Sequence, residues 1–131
     1  MNLQPIVVDD DDIICFLVKK LLKLSNYPEP KSFLSAIDAL DFIKKHETTQ
    51  TRYAIFLDIN MPVMNGWEFI ETLESLSVIS NYEIFILTSS INQNDKDKAF
   101  TYSSVKKFIE KPLRKNDLEL LKENEYLKPF F

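Results

Sequence analysis

"IVVDDDDIICFLVKKLL", residues 6–22, sets a short apolar run against four aspartates and then an amphipathic stretch. Ile6, Val7 and Val8 read as a strand apolar enough to be buried on both faces. Ile14, Leu17, Val18, Leu21 and Leu22 follow at i, i+3, i+4, i+7 and i+8, the spacing of one helix face. A strand passing straight into a helix, with the acids at the junction, is the first half of a repeating βα pattern. Four adjacent carboxylates repel, and each raises the cost of ionising its neighbours. A solvated turn, a helix cap and a cation site are all open readings of the run at this point.

The same alternation continues along the chain. A weak strand around 30–33 leads to Ser35, a candidate N-cap, and Ala36, Ala39, Leu40 and Ile43 form a second stripe. Residues 53–57 are a nearly all-apolar strand. Asn65 with Glu68 three positions on has the form of a capping box, and Phe69, Ile70, Leu73 and Leu76 give the face behind it. A fourth strand is expected at 83–87, a polar helix at 94–102, a fifth strand at 105–109 and a last helix at 115–125. Five βα units require a parallel sheet covered by helices on both faces and joined by right-handed crossovers. No internal repeat, low-complexity tract or linker interrupts them, so residues 1–131 read as a single domain, a length that can bury a real core.

Composition narrows the function. The chain is 45% hydrophobic and 27% charged, as a globular protein is, and no apolar run approaches the ~20 residues of a membrane helix. The N-terminal residues lack the pattern of a signal peptide, and the one cysteine, Cys15, has no internal partner, so a cytoplasmic, reducing setting is expected. A net charge of −4 argues against a nucleic-acid partner, which would need clustered Lys and Arg. The single glycine, Gly66, rules out both the G-x-G-x-x-G dinucleotide turn and the glycine-rich phosphate loop. His46 at the polar end of a helix and Met61 and Met64 in a loop point to no cofactor site.

Residues just after parallel strands gather along one sheet edge, where ligands bind. Asp9 and Asp10 follow the first strand, Asp58 the third, Thr88 the fourth, and Lys111 lies just beyond the fifth. Each has a bland reading. Asp11 and Asp12 fit a helix start, Thr88 alone a strand-end hydroxyl, and Lys111 alone a surface lysine. Asp58 resists one, because it ends a strongly apolar strand where an unpaired carboxylate is costly. Clustered carboxylates suit a hard dication such as Mg2+, and there is no Cys/His set for zinc. A carboxylate can also act as a nucleophile and form an aspartyl phosphate, with metal and lysine neutralising the transferred group, which makes phosphoryl transfer to Asp58 the reaction to test.

The stretches "IVVDDDD" (6–12), "IFLDINMPVMNGWEF" (55–69), "ILTSS" (86–90) and "FIEKPL" (108–113) resemble the receiver domain of two-component response regulators, and they span almost the whole chain. The resemblance implies a flavodoxin-like, doubly wound α/β fold: a five-stranded parallel sheet of order 2-1-3-4-5 flanked by five helices. It also implies roles. Asp58 is the expected phosphoacceptor, and Asp9, Asp10, Asp58 and the backbone carbonyl of Asn60 the expected ligands of Mg2+ or Mn2+. Lys111 is expected to pair with the phosphoryl oxygens, Thr88 to hydrogen-bond to them, and Lys111–Pro112 to be a cis peptide. Phe108 falls on the family's switch aromatic, although plain core is an equal reading of it. The expected partners are a histidine kinase or phosphotransfer protein as donor and a downstream protein bound through the fourth helix, fifth strand and fifth helix.

Two departures bear on the switch: Ser103-Ser104 stands where the family often has glycine, and Ser90 where many members carry a larger or acidic residue. Neither removes a residue the chemistry requires. An aspartate-nucleophile phosphohydrolase would need a second acid two positions after Asp58, and that position is Asn60. A phosphorylation-independent module of the same fold remains the other alternative. The expectation is therefore a stand-alone phosphoacceptor domain, not a turnover enzyme, without room for an output domain.

Overall fold

The computed structural model describes residues 1–46, 48–76, 81–90 and 92–131. Its strands are β1 (Asn2–Val8), β2 (Lys31–Phe33), β3 (Thr51–Leu57), β4 (Tyr82–Thr88) and β5 (Val105–Glu110), all parallel, in the order β2-β1-β3-β4-β5. The helices between and after them are α1 (Asp12–Leu24), α2 (Ala36–Lys45), α3 (Gly66–Ser75), α4 (Gln93–Ala99) and α5 (Lys115–Leu121), with a final 3-10 turn, Lys128–Phe130. This is the flavodoxin-like α/β fold, with a doubly wound sheet.

The period of two along the strands divides the core. Ile6 and Val8 of β1, Ile55 and Leu57 of β3, and Ile84 and Ile86 of β4 point to the face covered by α2, α3 and Ala99 of α4. Val7, Phe56, Phe85 and Leu87 point the other way, onto Cys15, Val18 and Leu22 of α1 and Leu118 and Leu121 of α5. Both faces are dry, so the central strands are apolar throughout and show no polar alternation.

The caps match their sequence signals. Asp11 takes the N-cap of α1, its carboxylate accepting from Ile13 N–H at 2.9 Å and Ile14 N–H at 3.3 Å. Ser35 caps α2 through Asp38 N–H, and Asn65 and Glu68 form the reciprocal box of α3. Two helices stop short of their expected ends. After Ala99 the bonds tighten to i→i−3 (Thr101 N–H to Lys98, Tyr102 N–H to Ala99), which frees Tyr102 to stack on Trp67 of α3. After Leu121 the same tightening occurs, Asn124 accepts from Tyr126 N–H, and Arg52 of β3 donates to the Tyr126 carbonyl at 3.0 Å.

Candidate functional site

β1 and β3 run in register with Val8 opposite Leu57, and Asp58 N–H donates to the Val8 carbonyl at 2.9 Å. Asp9 and Asp58 therefore leave adjacent strands side by side. Lys111 N–H donates to the Thr88 carbonyl at 2.8 Å, which ties the end of β5 to the end of β4. Register alone thus brings Asp9, Asp10, Asp58, Thr88 and Lys111 to one edge of the sheet.

Asp9, Asp58 and Thr88 are buried, whereas Asp10 is exposed. One ligand oxygen from each of Asp9, Asp10 and Asp58 lies within 4.8 Å of the others, an all-oxygen donor set of the kind that suits a hard dication. Lys111 Nζ stands 2.7 Å from Asp9 Oδ2 and 3.6 Å from Asp58 Oδ2. The second oxygen of Asp9 is used locally, accepting from Asp11 N–H at 2.9 Å. The aspartate run therefore splits into two devices. Asp9 and Asp10 face the pocket, while Asp11 and Asp12 start α1.

Burial pushes the Asp58 carboxyl above its ordinary pKa and Asp9 adds to the rise, against the opposing pull of Lys111 and the Asn60 and Ile59 amides. For Lys111, burial works against the ammonium, but bonding and attraction to Asp9 and Asp58 outweigh it and raise its pKa. The pocket thus holds an acid short of positive charge beside an amine committed to its charged form. That imbalance is what an added dication would correct.

Asn60 is exposed, and its N–H reaches Asp58 Oδ1 at 3.4 Å. Phe108 is half-buried and packs against the α2–α3 side of the core, a position between solvent and interior. The Lys111–Pro112 peptide is cis. Two contributors carried no functional weight in the sequence beyond their type. Gly66 packs so closely over the strand end that a Cβ there would lie 2.7 Å from both the Asp58 carbonyl oxygen and Ile59 Cα. The chain's only glycine is thus set by close approach to the backbone of Asp58 itself, and its solitary occurrence was the signal available. Cys15 donates its thiol to the Asp9 carbonyl at 3.3 Å, and burial pushes its pKa up to about 11, so it buttresses the acids from beneath as a neutral thiol.

A family model for the response regulator receiver domain matches residues 6–122. Hybrid signal transduction histidine kinase L of Dictyostelium discoideum is 32% identical over 123 residues, an alignment that covers 90% of this chain and 7% of that protein. The chain thus corresponds to a small part of that relative. Among solved structures, a two component response regulator from Cytophaga hutchinsonii matches with a TM-score of 0.85 at 28% identity, covering 97% of this chain and 98% of that one. A response regulator receiver protein from Dyadobacter fermentans matches at 0.82 and 29%, covering 92% and 96%.

Proposed function

The chain belongs to the response regulator receiver family, and from that premise we propose that it is a phosphoacceptor signalling domain in which Asp58 takes a phosphoryl group from a histidine kinase or phosphotransfer protein. Receiver domains are signalling domains rather than turnover enzymes, and they interact with histidine kinases and downstream effectors. One observation carries the reading: one oxygen from each of three carboxylates, two of them on buried residues, lies within 4.8 Å of the others, with Lys111 bridging Asp9 and Asp58. A purely structural site has no use for that excess of negative charge.

Asp9, Asp10, Asp58 and the backbone carbonyl of Asn60 are the residues that would hold Mg2+ or Mn2+, which when bound neutralises phosphoryl oxygens and lowers the repulsion they meet. In the transfer, a carboxylate oxygen of Asp58 attacks phosphorus. The new P–O bond forms as the P–N bond to the donor's imidazole breaks, and the imidazole leaves with the electron pair. Lys111, held beside Asp58 as an ammonium, stabilises charge on the phosphoryl oxygens. The Thr88 hydroxyl donates to one of those oxygens after transfer, and Phe108 turns inward behind it. Attack of water on the phosphoryl group later restores Asp58.

The output surface is the face of α4, β5 and α5. The donor comes from the other side, where α1 exposes Ile13, Phe16 and Leu17. A largely apolar groove of about 360 Å3 between α1 and Lys111–Leu113 leads from that stripe toward the site. An exposed apolar stripe beside a charged pocket fits a helical protein that must place one histidine against Asp58. Among the described residues no helix is long and apolar enough to cross a membrane. We place residues 1–131 in the cytoplasm as a single receiver domain, with neither nucleic acid nor membrane as partner.

The test is direct. Wild type incubated with Mg2+ and acetyl phosphate or phosphoramidate is expected to gain one phosphoryl group by intact mass, and to stay unlabelled when chelator removes the metal beforehand. Asp58→Asn is expected to stay unlabelled. Equal labelling of the two proteins, or none of either, would sink the proposal.

A further inference from the structure

Thr88 is fully buried, and its hydroxyl oxygen is already engaged: it accepts the Ser90 N–H at 3.2 Å. Ser90 is in turn fixed from α4. Its hydroxyl donates to Asp95 Oδ2 at 2.7 Å, and its oxygen accepts Asn92 N–H at 3.3 Å. Asn92 caps α4 through Asn94 N–H at 2.8 Å, and Asp95 N–H returns to the Asn92 carbonyl at 3.1 Å. Thr88 and the first turn of α4 thus form one hydrogen-bonded block. The other end of α4 is anchored to α3, because the Lys98 ammonium stands 5.0 Å from the Trp67 ring centroid and Tyr102 stacks on the same ring. Tyr102 also donates to Glu71, and Ser104 to Glu74. A groove of about 270 Å3 opens between Phe108 and Glu110 on one side and Ser90, Asn92, Gln93 and Lys96 on the other. Space for movement therefore lies at the N-terminal end of α4.

We propose that Ser90 and Asp95 form a latch that holds the Thr88 hydroxyl in its resting position and so sets how readily the phosphorylated state is adopted. The proposal rests on the phosphoacceptor reading above. For the Thr88 hydroxyl to swing to a phosphoryl oxygen on Asp58, it must abandon the Ser90 N–H. That amide can follow only if Ser90 pulls away from Asp95, and otherwise a part-buried donor loses its acceptor. The Ser90–Asp95 bond therefore opposes the movement. Ser90 and Asp95 are positioning residues, acting through Thr88, and neither touches the reacting atoms.

Beryllofluoride, a tetrahedral phosphoryl mimic, supplies the readout when titrated with Mg2+ against the full chain and followed by 19F NMR and calorimetry. Ser90→Ala and Asp95→Ala are expected to bind it roughly three- to ten-fold tighter than wild type, the size of one net hydrogen bond. Asp95→Asn, which keeps an acceptor for the Ser90 hydroxyl, is expected to stay within about two-fold of wild type. Affinity for Mg2+ alone is expected to be the same in all of them. In a Thr88→Ala background the gain from breaking the latch should vanish, because the group through which it acts is gone. Unchanged beryllofluoride affinity in both alanine variants, a matching change in Mg2+ affinity, or a gain that persists without Thr88 would each overturn the latch. A wild type that binds no beryllofluoride would instead overturn the phosphoacceptor reading, and the latch with it.

Discussion

Asp58 shows how one residue ties stability to function. Its carboxyl is raised above its ordinary range by burial and by Asp9, so the folded state holds this proton more tightly than the unfolded chain does. The stability contributed by that proton is fully present below the unfolded carboxylate pKa and is lost as pH rises through the folded pKa. Without divalent metal, Asp58→Asn is therefore expected to melt higher than wild type at neutral pH, with a gap that shrinks on acidification. Mg2+ added to wild type should close the gap from the other side, because it binds the folded state alone. Thermal melts at several pH values, with and without Mg2+, check both trends, and a gap that widens toward acid would refute the charge argument. Gly66 sets a second constraint at the same scale. With the Asp58 carbonyl and Ile59 Cα both 2.7 Å from where a Cβ would sit, Gly66→Ala must push backbone aside. A loss of ~1–3 kcal/mol, read from urea denaturation, is expected. Labelling of the proposed acceptor should also slow, since the displaced backbone is that of Asp58 itself.

At the scale of elements, α1 tests the division of the aspartate run. Asp11 accepts two backbone N–H groups at the helix start, whereas Asp12 lies in the first turn and contributes through the helix dipole. Asp11→Ala is expected to cost ~1 kcal/mol and Asp12→Ala a few tenths, with neither changing the midpoint of a Mg2+ titration. Asp9→Ala and Asp10→Ala should weaken that midpoint, and a titration that ranked Asp12 above Asp10 would reverse the assignment. The short α4 has a different logic. Its exposed residues are polar and only Ala99 is buried; one end is held by the Asp95 bond to Ser90, whose N–H donates to Thr88, and the other by Lys98 over Trp67 of α3, rather than by a wide apolar face. An element held at its ends is one that can move at one of them.

For the molecule as a whole, the doubly wound sheet separates two tasks. On the proposed function, donor docking falls to the α1 side, and output to the α4, β5 and α5 face. Phe16→Asp, on a side chain 63% exposed, should leave the fold and labelling by acetyl phosphate intact while slowing transfer from a protein phosphohistidine donor by roughly ten-fold or more, as loss of a buried apolar anchor does. Equal slowing with the small donor would place Phe16 in the chemistry and not in docking. The fold itself was legible from residues 6–22 onward, because strands dry on both faces must be continuously apolar and helices beside them must carry stripes at a period of 3.6. The positions of the acids followed too, since parallel strands deliver their C-terminal residues to one edge whatever the helices do. Local sequence also determined the caps at Asp11, Ser35 and Asn65, whose partners lie within a few residues. What only the tertiary structure decided depends on residues distant in the chain meeting. The salt bridge of Lys111 to Asp9, the closeness of Gly66 to Asp58 and the early stop of α4 where Tyr102 meets Trp67 are of this kind. Periodicity reports which face of an element is buried, but not what it is buried against, and those contacts were set by the packing of one element on another.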